Sequence, residues 1–172
     1  MTTRREFVQK AALGTAGIAL GAKSYSRVLG ANDKIRVGIV GYSDRFRGSL
    51  HPSFMSLAKE MNFEFTAVSD IWRLRREDAA RYYKKLGLNL RLARNNEELY
   101  SGKDTDAVII STADFQHALH CKEAVEAGRD AYVEKPFAES MADARAARKA
   151  VEATGKIIQI GYTSIIISIW FL

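Results

Sequence analysis

The sequence predicts a doubly wound α/β domain, in which a parallel sheet carries helices on both of its faces. Short β-branched runs alternate with longer segments of helical periodicity, which is typical of right-handed strand–helix–strand units. Glycine follows three of the helix-like segments, at Gly87, Gly128 and Gly155, where helices commonly end. The run AVII, from Ala107 to Ile110, is continuously apolar, as expected of a strand that is covered on both faces.

The first two strands and the helix between them have clear sequence boundaries. Lys34 to Val40 is a β-branched run that ends at Gly41, and Phe63 to Ser69 is a second strand closed by Asp70. Ser49 to Glu60 carries apolar residues at helical spacing. These three segments therefore predict one crossover unit.

The later segments continue the same alternation. The charged segment from Arg73 to Leu86 predicts an exposed helix, a weak third strand is centred near Leu90, and Glu97 to Tyr100 predicts a short helix. The sequence shows no internal repeat and no low-complexity linker between the elements. The remaining predicted elements are the strand Ala107 to Ile110, the helix His117 to Ala127, the strand Ala131 to Val133, the helix Met141 to Thr154 and the strand Ile157 to Ile160.

The composition is that of an ordinary globular domain. With 172 residues, of which 47% are hydrophobic and 27% charged, the chain can form one core. Residues 1–31 carry a charge of +4, and subtracting it from the total of +6 leaves +2 for the other residues. No basic stripe for nucleic acid is therefore predicted. Cys121 is the only cysteine, which excludes an intrachain disulfide and a cysteine metal cluster, and no metal site is predicted.

Residues 1–31 have the composition of an export signal. The pair Arg4-Arg5 precedes twelve uncharged residues, Ala11 to Ala22. Twelve residues are too few for a helix that spans about 30 Å of hydrocarbon, so a stable membrane span is disfavoured. The pattern resembles a twin-arginine signal and predicts export to the periplasm, with a basic disordered or amphipathic tail as the alternative.

The turn after the first strand, VGIVGYSDRFRGS, is the first candidate ligand site, because ligands of such sheets lie beyond the carboxyl ends of the strands. Gly41 stands where a phosphate needs to approach the backbone. Ser43 and Phe46 replace the second and third glycines of a phosphate loop, so the match to that motif is poor. We expect Ser43 to donate to phosphate and Arg45 or Arg47 to offset its charge. A tight turn without a ligand is the alternative.

Asp70 ends the second strand, 29 residues after Gly41. A carboxylate at this place accepts the hydroxyl hydrogens of an adenosine ribose and repels a 2′-phosphate, which favours NAD over NADP. Arg73 and Arg75 follow closely and keep NADP as the alternative. A role of Asp70 as the N-cap of the next helix is also compatible with the sequence.

The segment STADFQH follows the fourth strand and supplies further polar side chains. The hydroxyls of Ser111 and Thr112 are suited to bind a ribose or a phosphate, and Asp114 to cap the next helix. His117 opens that helix near the expected cleft, although a structural role is the alternative for a single histidine.

The fifth strand runs directly into Glu134, Lys135 and Pro136, within AYVEKPFAE. With this motif and the region DAVIISTADFQHALHCKEAVEAG before it, residues 34–163 resemble the Gfo/Idh/MocA family of oxidoreductases (glucose–fructose oxidoreductase, inositol dehydrogenase and the rhizopine-catabolism protein). The resemblance implies a Rossmann-like fold that binds NAD or NADP, with the motif beside the nicotinamide. It also implies that the lysine contacts the hydroxyl of a sugar or polyol substrate.

Elementary chemistry favours the same role for Lys135. Oxidation of a carbinol by hydride transfer requires its O–H proton to leave, and a lysine whose pKa is lowered by burial can accept that proton or stabilise the alkoxide. Pro136 fixes the turn, in cis or in trans, so that the amine points into the cleft. Glu134 is expected to orient the lysine or to contact the cofactor ribose, and a surface salt-bridge turn is the alternative.

The sequence thus yields one catalytic candidate, Lys135, and a set of cofactor-binding candidates. It departs from the family pattern where Thr112-Ala113 replaces the usual Thr-Pro. The predicted cofactor-binding residues are Gly41, Tyr42, Ser43, Arg45, Phe46, Asp70, Ser111, Thr112, His117, Glu134 and Lys135.

The family resemblance also implies a second, substrate-binding domain after the sixth strand. Here GYTSIIISIWFL follows instead, and we expect residues 164–172 to be an aberrant hydrophobic tail that replaces the missing domain. A natural docking tail is the alternative. Residues 32–163 are therefore predicted to be an NAD(P)-binding domain that is inactive alone, or a dinucleotide-binding module without catalysis. The sequence leaves the oligomeric state open.

Overall fold

The computed structural model describes residues 34–161. The predicted export signal in residues 1–31 and the predicted tail in residues 164–172 lie outside the described residues. Among the described residues, no helix combines the length and the hydropathy that crossing a membrane requires.

Strands and helices alternate throughout the described part of the chain. The strands are β1 (Ile35–Val40), β2 (Phe63–Ser69), β3 (Arg91–Ala93), β4 (Ala107–Ile110), β5 (Asp130–Glu134) and β6 (Ile158–Gly161). The helices are α1 (His51–Leu57), α2 (Arg73–Lys85), α3 (Asn96–Ser101), α4 (His117–Glu126) and α5 (Met141–Thr154). A π-helical turn (Phe46–Leu50) leads into α1, and a 3₁₀ turn (Asp114–Gln116) leads into α4.

All six strands pair in parallel, in the order β3-β2-β1-β4-β5-β6. The order reverses between β1 and β4, where Val40 pairs with Ile110. Because parallel strands share one carboxyl edge, the residues that follow every strand meet along the same side of the sheet. The doubly wound, Rossmann-like fold predicted from the sequence is therefore confirmed.

Two apolar clusters cover the two faces of the sheet. Successive strand residues point to opposite faces, so Ile39 belongs to one cluster and Val40 to the other. The first cluster packs Phe46 and Tyr83 against β1 and β2, while the second includes Cys121 of α4. Burial raises the pKa of the Cys121 thiol to about 11, which makes it an inert core residue.

The helix after β1 is the element that differs most from prediction. Asp44 and Arg45 are already helical, so this helix starts five residues before the predicted Ser49, and α1 ends at Leu57 rather than Glu60. The early start is explained by Ser43, whose Oγ accepts a hydrogen bond from the N–H of Phe46 at 3.1 Å. A serine that binds the third N–H of a helix is an N-cap, and it stabilises the first turn.

Candidate active site

One cavity of about 710 Å³ opens at the carboxyl edge of the sheet. Its walls come from the loops after four strands, with Gly41 after β1, Asp70 after β2, Asn96 after β3 and Thr112 after β4. A cavity of this size is within the range that holds small molecules and cofactors. Four of the predicted cofactor-binding residues besides Thr112 line it, namely Gly41, Ser43, Asp70 and Ser111.

Gly41 brings the backbones of β1 and β4 close together at the cavity. It has a φ of +86°, and a Cβ at this position would lie 2.8 Å from Thr112 Cγ2 and 3.0 Å from the carbonyl oxygen of Ser111. The Ser111 hydroxyl donates to the carbonyl oxygen of Gly41 at 2.8 Å. Only glycine fits both this backbone conformation and this space. Its own N–H donates to the carbonyl oxygen of Ser69 at 2.8 Å, so what Gly41 provides to a ligand is close approach to the turn.

Tyr42 and Phe46 have their side chains in the hydrophobic core rather than in the cavity. Tyr42 is 3% exposed and Phe46 is fully buried, with their ring centroids 5.7 Å apart. Burial raises the pKa of Tyr42 to about 12. Neither residue lines the cavity, and Tyr42 is connected to the cavity wall through its backbone N–H, which donates to Asp70.

Asp70 connects the turn after β1 to the turn after β2. Its Oδ2 accepts from the backbone N–H of Tyr42 at 3.0 Å, and its Oδ1 accepts from the N–H of Trp72 at 2.8 Å. Trp72, not Asp70, is the N-cap residue of α2, so the N-cap role considered for Asp70 is wrong. Each carboxylate oxygen keeps a further lone pair for a ligand hydroxyl in the cavity.

The two arginines after Asp70 have acidic partners. Arg75 lines the cavity and binds Asp44 through two hydrogen bonds, of 2.9 and 3.1 Å, while Arg73 pairs with Glu77. The guanidinium of Arg75, helped by that of Arg47, holds the pKa of Asp44 well below its usual range. Arg75 thus lies close enough to Asp70 to interact with its charge, but its own charge is already balanced by Asp44.

His117 is buried between two loops and does not line the cavity. Its Nδ1 lies 2.7 Å from the carbonyl oxygen of Pro136, and its Nε2 lies 3.2 Å from that of Thr112. The ring is 1% exposed, so it joins the loop after β4 to the loop after β5. This geometry matches the structural role that the sequence analysis kept as the alternative.

Glu134 and Arg45 join the end of β5 to the turn after β1. The carboxylate of Glu134, whose side chain is 3% exposed, accepts from Arg45 Nε at 2.9 Å and from the backbone N–H of Lys135 at 2.9 Å. A buried carboxylate needs such partners, because leaving it unpaired is strongly destabilising. Glu134 therefore fixes the backbone of Lys135 rather than its amine.

Lys135 follows β5 at the same carboxyl edge as Gly41 and Asp70, but its side chain is exposed. Within residues 34–161 its amine has no hydrogen bond or ion pair, and the Lys135–Pro136 bond is cis. The expected burial of this lysine is wrong for the described part of the chain. The edge position that the sequence predicted is confirmed.

The structure adds cavity residues that the sequence analysis missed. Ser69 Oγ donates to Asn96 Oδ1 at 2.9 Å, and Asn96 Nδ2 donates to Glu123 Oε2 at 2.9 Å. His120 Nδ1 lies 3.0 Å from Thr112 Oγ1, and burial lowers the pKa of His120, against the opposing effect of Glu123. Gln116, His120 and Glu123 line the cavity at a spacing of four and three residues along α4, a helical stripe that was available in the sequence.

A parallel sheet of this order, with a glycine turn and a carboxylate at its switch point, defines the class of dinucleotide-binding domains. Residues 35–162 match the oxidoreductase family with an NAD-binding Rossmann fold (GFO_IDH_MocA), and the chain belongs to this family. The cavity fits the cofactor, because Gly41 admits a phosphate to the backbone and Asp70 offers acceptors to a ribose. The described residues therefore form an NAD-binding Rossmann domain.

Two proteins that this chain resembles are a dehydrogenase and an NAD-binding protein. Inositol 2-dehydrogenase 3 of Saccharopolyspora erythraea is 31% identical over 100 residues, which are 58% of this chain and 28% of that protein. An NAD-binding protein of Listeria innocua is 29% identical with a TM-score of 0.62, covering 74% of this chain and 35% of that one.

The WlbA dehydrogenase of Chromobacterium violaceum, solved with NADH and UDP-GlcNAcA, has the same fold. It is 24% identical with a TM-score of 0.67, and the match covers 76% of this chain and 36% of that chain. The matched region spans well under half of the length of each of these relatives.

Proposed function

We propose that this chain binds NAD in the cavity at the carboxyl edge and serves an oxidoreductase that transfers hydride to or from a sugar or polyol. The observation that carries the proposal is the Asp70 carboxylate, which the N–H groups of Tyr42 and Trp72 hold at the cavity wall. The names of the relatives support the substrate class, since one is an inositol dehydrogenase and another was solved with a nucleotide sugar.

Each end of the cavity takes a different part of the dinucleotide. The pyrophosphate lies at the turn after β1, where Gly41 allows close approach and Ser43 donates its hydroxyl. Arg45 is bound to Glu134 through Nε, and its two terminal nitrogens remain as donors for the phosphates. The adenosine ribose lies against Asp70, and Ser111 and Thr112 form the opposite wall. The other predicted cofactor residues support these groups through the core, since Tyr42 and Phe46 pack beneath the turn, and His117 and Glu134 fix the adjoining loops.

The charges around Asp70 favour NAD over NADP. The 2′-phosphate of NADP would lie next to the carboxylate of Asp70, and the two negative charges would repel each other. Arg75, in the first turn of α2, is an arginine of the cavity wall that could bind such a phosphate. Its guanidinium, however, already donates two hydrogen bonds to Asp44. Binding of NADP would require Arg75 to leave Asp44, which adds to the cost.

Replacing Asp70 by asparagine is expected to weaken NAD binding about 10- to 100-fold. The carboxamide keeps one acceptor for backbone N–H but loses the equivalent of one charge-assisted hydrogen bond to a ribose hydroxyl, worth about 1.5–3 kcal/mol. Calorimetric titration of the full chain with NAD and with NADP measures the change.

Asp130→Asn is the matched control for this variant. Asp130 Oδ1 also accepts a backbone N–H, that of Ile157 at 3.0 Å, but it lies at the amino end of β5. Equal NAD affinities for Asp70→Asn and the wild type, in a protein with an unchanged melting curve, would contradict the proposed ribose contact.

The chemical step assigns a separate role to Lys135. Bound NAD supplies the hydride acceptor when a carbinol is oxidised. The carbinol O–H proton must then leave, and an amine at the edge of the cleft can accept it or stabilise the developing alkoxide. Lys135 is the residue proposed for this role, because the hydrogen bond that its backbone N–H donates to Glu134 fixes its position at the end of β5.

We further propose that residues 1–31 direct export by a twin-arginine route. The support is the Arg4-Arg5 pair before the uncharged run Ala11 to Ala22. Replacing both arginines by lysine keeps the charge and is expected to retain the protein in the cytoplasm, as measured by cell fractionation. Export of the double-lysine variant at the wild-type level would refute this proposal.

A further inference from the structure

We propose that Glu123 recognises the amino group of the adenine base and so makes this domain select adenine dinucleotides over hypoxanthine dinucleotides. The inference rests on the proposed function, because it requires the pyrophosphate at Gly41 and the ribose at Asp70. The inference places the adenine base in the part of the cavity that the pyrophosphate and the ribose leave free.

The far part of the cavity is the place left for the base. Asn96 lines it from α3, and His120 and Glu123 line it from α4. Trp72 and His120 offer ring surfaces in the same cavity, and bases stack on such rings without regard to their identity. Selection among purines must therefore come from polar groups at the base edge.

A fixed chain of hydrogen bonds orients Glu123. The hydroxyl of Ser69 donates to Asn96 Oδ1, which turns the amide nitrogen of Asn96 towards Glu123. That nitrogen donates to Glu123 Oε2, while within residues 34–161 Glu123 Oε1 has no hydrogen-bond partner. Glu123 is only partly exposed, and Asn96 and Ser69 restrict how it moves.

The free oxygen of Glu123 presents an acceptor and no donor. Adenine carries an amino group with two donors at its six position, which complements a carboxylate. Hypoxanthine carries a carbonyl oxygen at that position, and the oxygen is repelled by the carboxylate. A site built to bind one hydrogen-bonding group discriminates strongly against an analogue that lacks it.

Titration of the full chain with NAD and with nicotinamide hypoxanthine dinucleotide tests the proposal. The wild type is expected to bind NAD at least about 10-fold more tightly, the ratio that one charge-assisted hydrogen bond provides. In Glu123→Gln the carboxamide oxygen stays on Asn96, so its NH₂ group faces the base. The preference is then expected to disappear or to turn towards the hypoxanthine dinucleotide, because the NH₂ group donates to the carbonyl oxygen.

Glu97→Gln is the matched control, since Glu97 is an exposed glutamate in the wall of the same cavity. It removes the same charge and is expected to keep the wild-type preference for NAD.

A wild type that binds both dinucleotides equally overturns the role of Glu123 and leaves NAD binding intact. A wild type that binds neither overturns the proposed function as well. Equal loss of preference in Glu97→Gln and Glu123→Gln shows a general charge effect and also overturns the specific role. If a variant fails to fold, the ratio of the wild-type affinities for the two dinucleotides still tests whether the domain selects adenine.

Discussion

Replacing Lys135 by alanine is expected to lower the rate of hydride transfer about 10²- to 10⁴-fold, the range of general acid–base catalysis. The loss is expected because, among the described residues, Lys135 is the only lysine in the loop between β5 and α5, at the carboxyl edge of the sheet. NAD affinity is expected to change far less, since Lys135 lies outside the wall of the cavity that holds the adenosine part.

Exchange of labelled hydride between NAD and candidate sugars or polyols measures this rate in the full chain. Lys149→Ala, an exposed lysine on α5, is the control for a general loss of positive charge. A Lys135→Ala variant as fast as the wild type would remove the catalytic assignment. If the wild type binds NAD but exchanges no hydride with any candidate, the enzyme proposal fails for this polypeptide and a dinucleotide-binding module remains.

Replacing Gly41 by alanine is expected to lower the free energy of unfolding by about 2–4 kcal/mol and to abolish measurable NAD binding. A φ of +86° costs a residue with a Cβ about 1–2 kcal/mol, and the contacts at 2.8 and 3.0 Å add the cost of moving Thr112 and the Ser111 backbone. Movement there displaces the turn that is proposed to bind the pyrophosphate.

Gly87→Ala separates the cost of the positive φ from the cost of the close contacts. Gly87 has a similar φ of +77°, but no atom lies within 4 Å of its added Cβ. The control is therefore expected to lose about 1 kcal/mol and to keep NAD binding. Urea denaturation measures both variants, and equal losses for Gly41→Ala and Gly87→Ala would show that the close approach of β1 and β4 contributes nothing.

Much of the site was predictable because it lies at strand ends. The β-branched runs determine where strands stop, and the residues just after them, such as Gly41, Asp70 and Lys135, then fall on one edge of the sheet. Serine and threonine after β4 were found by the same reasoning. The pattern also indicated helix ends at glycine, and Gly155 indeed ends α5 with a φ of +65°.

Other features of the site were not predictable in this way. The direction of a loop side chain depends on its packing, so Tyr42 and Phe46, which follow Gly41 in a phosphate-loop motif, point into the core. The exposure of Lys135 likewise depends on what surrounds it and not on its motif. The contact of Arg45 with Glu134 joins residues 89 apart in the chain.

The sequence by itself determined the alternation of strands and helices, the family, and the residues that stand at the strand ends. Those properties follow from local periodicity and short motifs, which act over a few neighbouring residues. Only the tertiary structure decided that Ser69, Asn96 and Glu123 form one chain of hydrogen bonds in the cavity wall. The physical reason is that strand order and helix packing bring together side chains 27 residues apart, and no local pattern encodes that proximity.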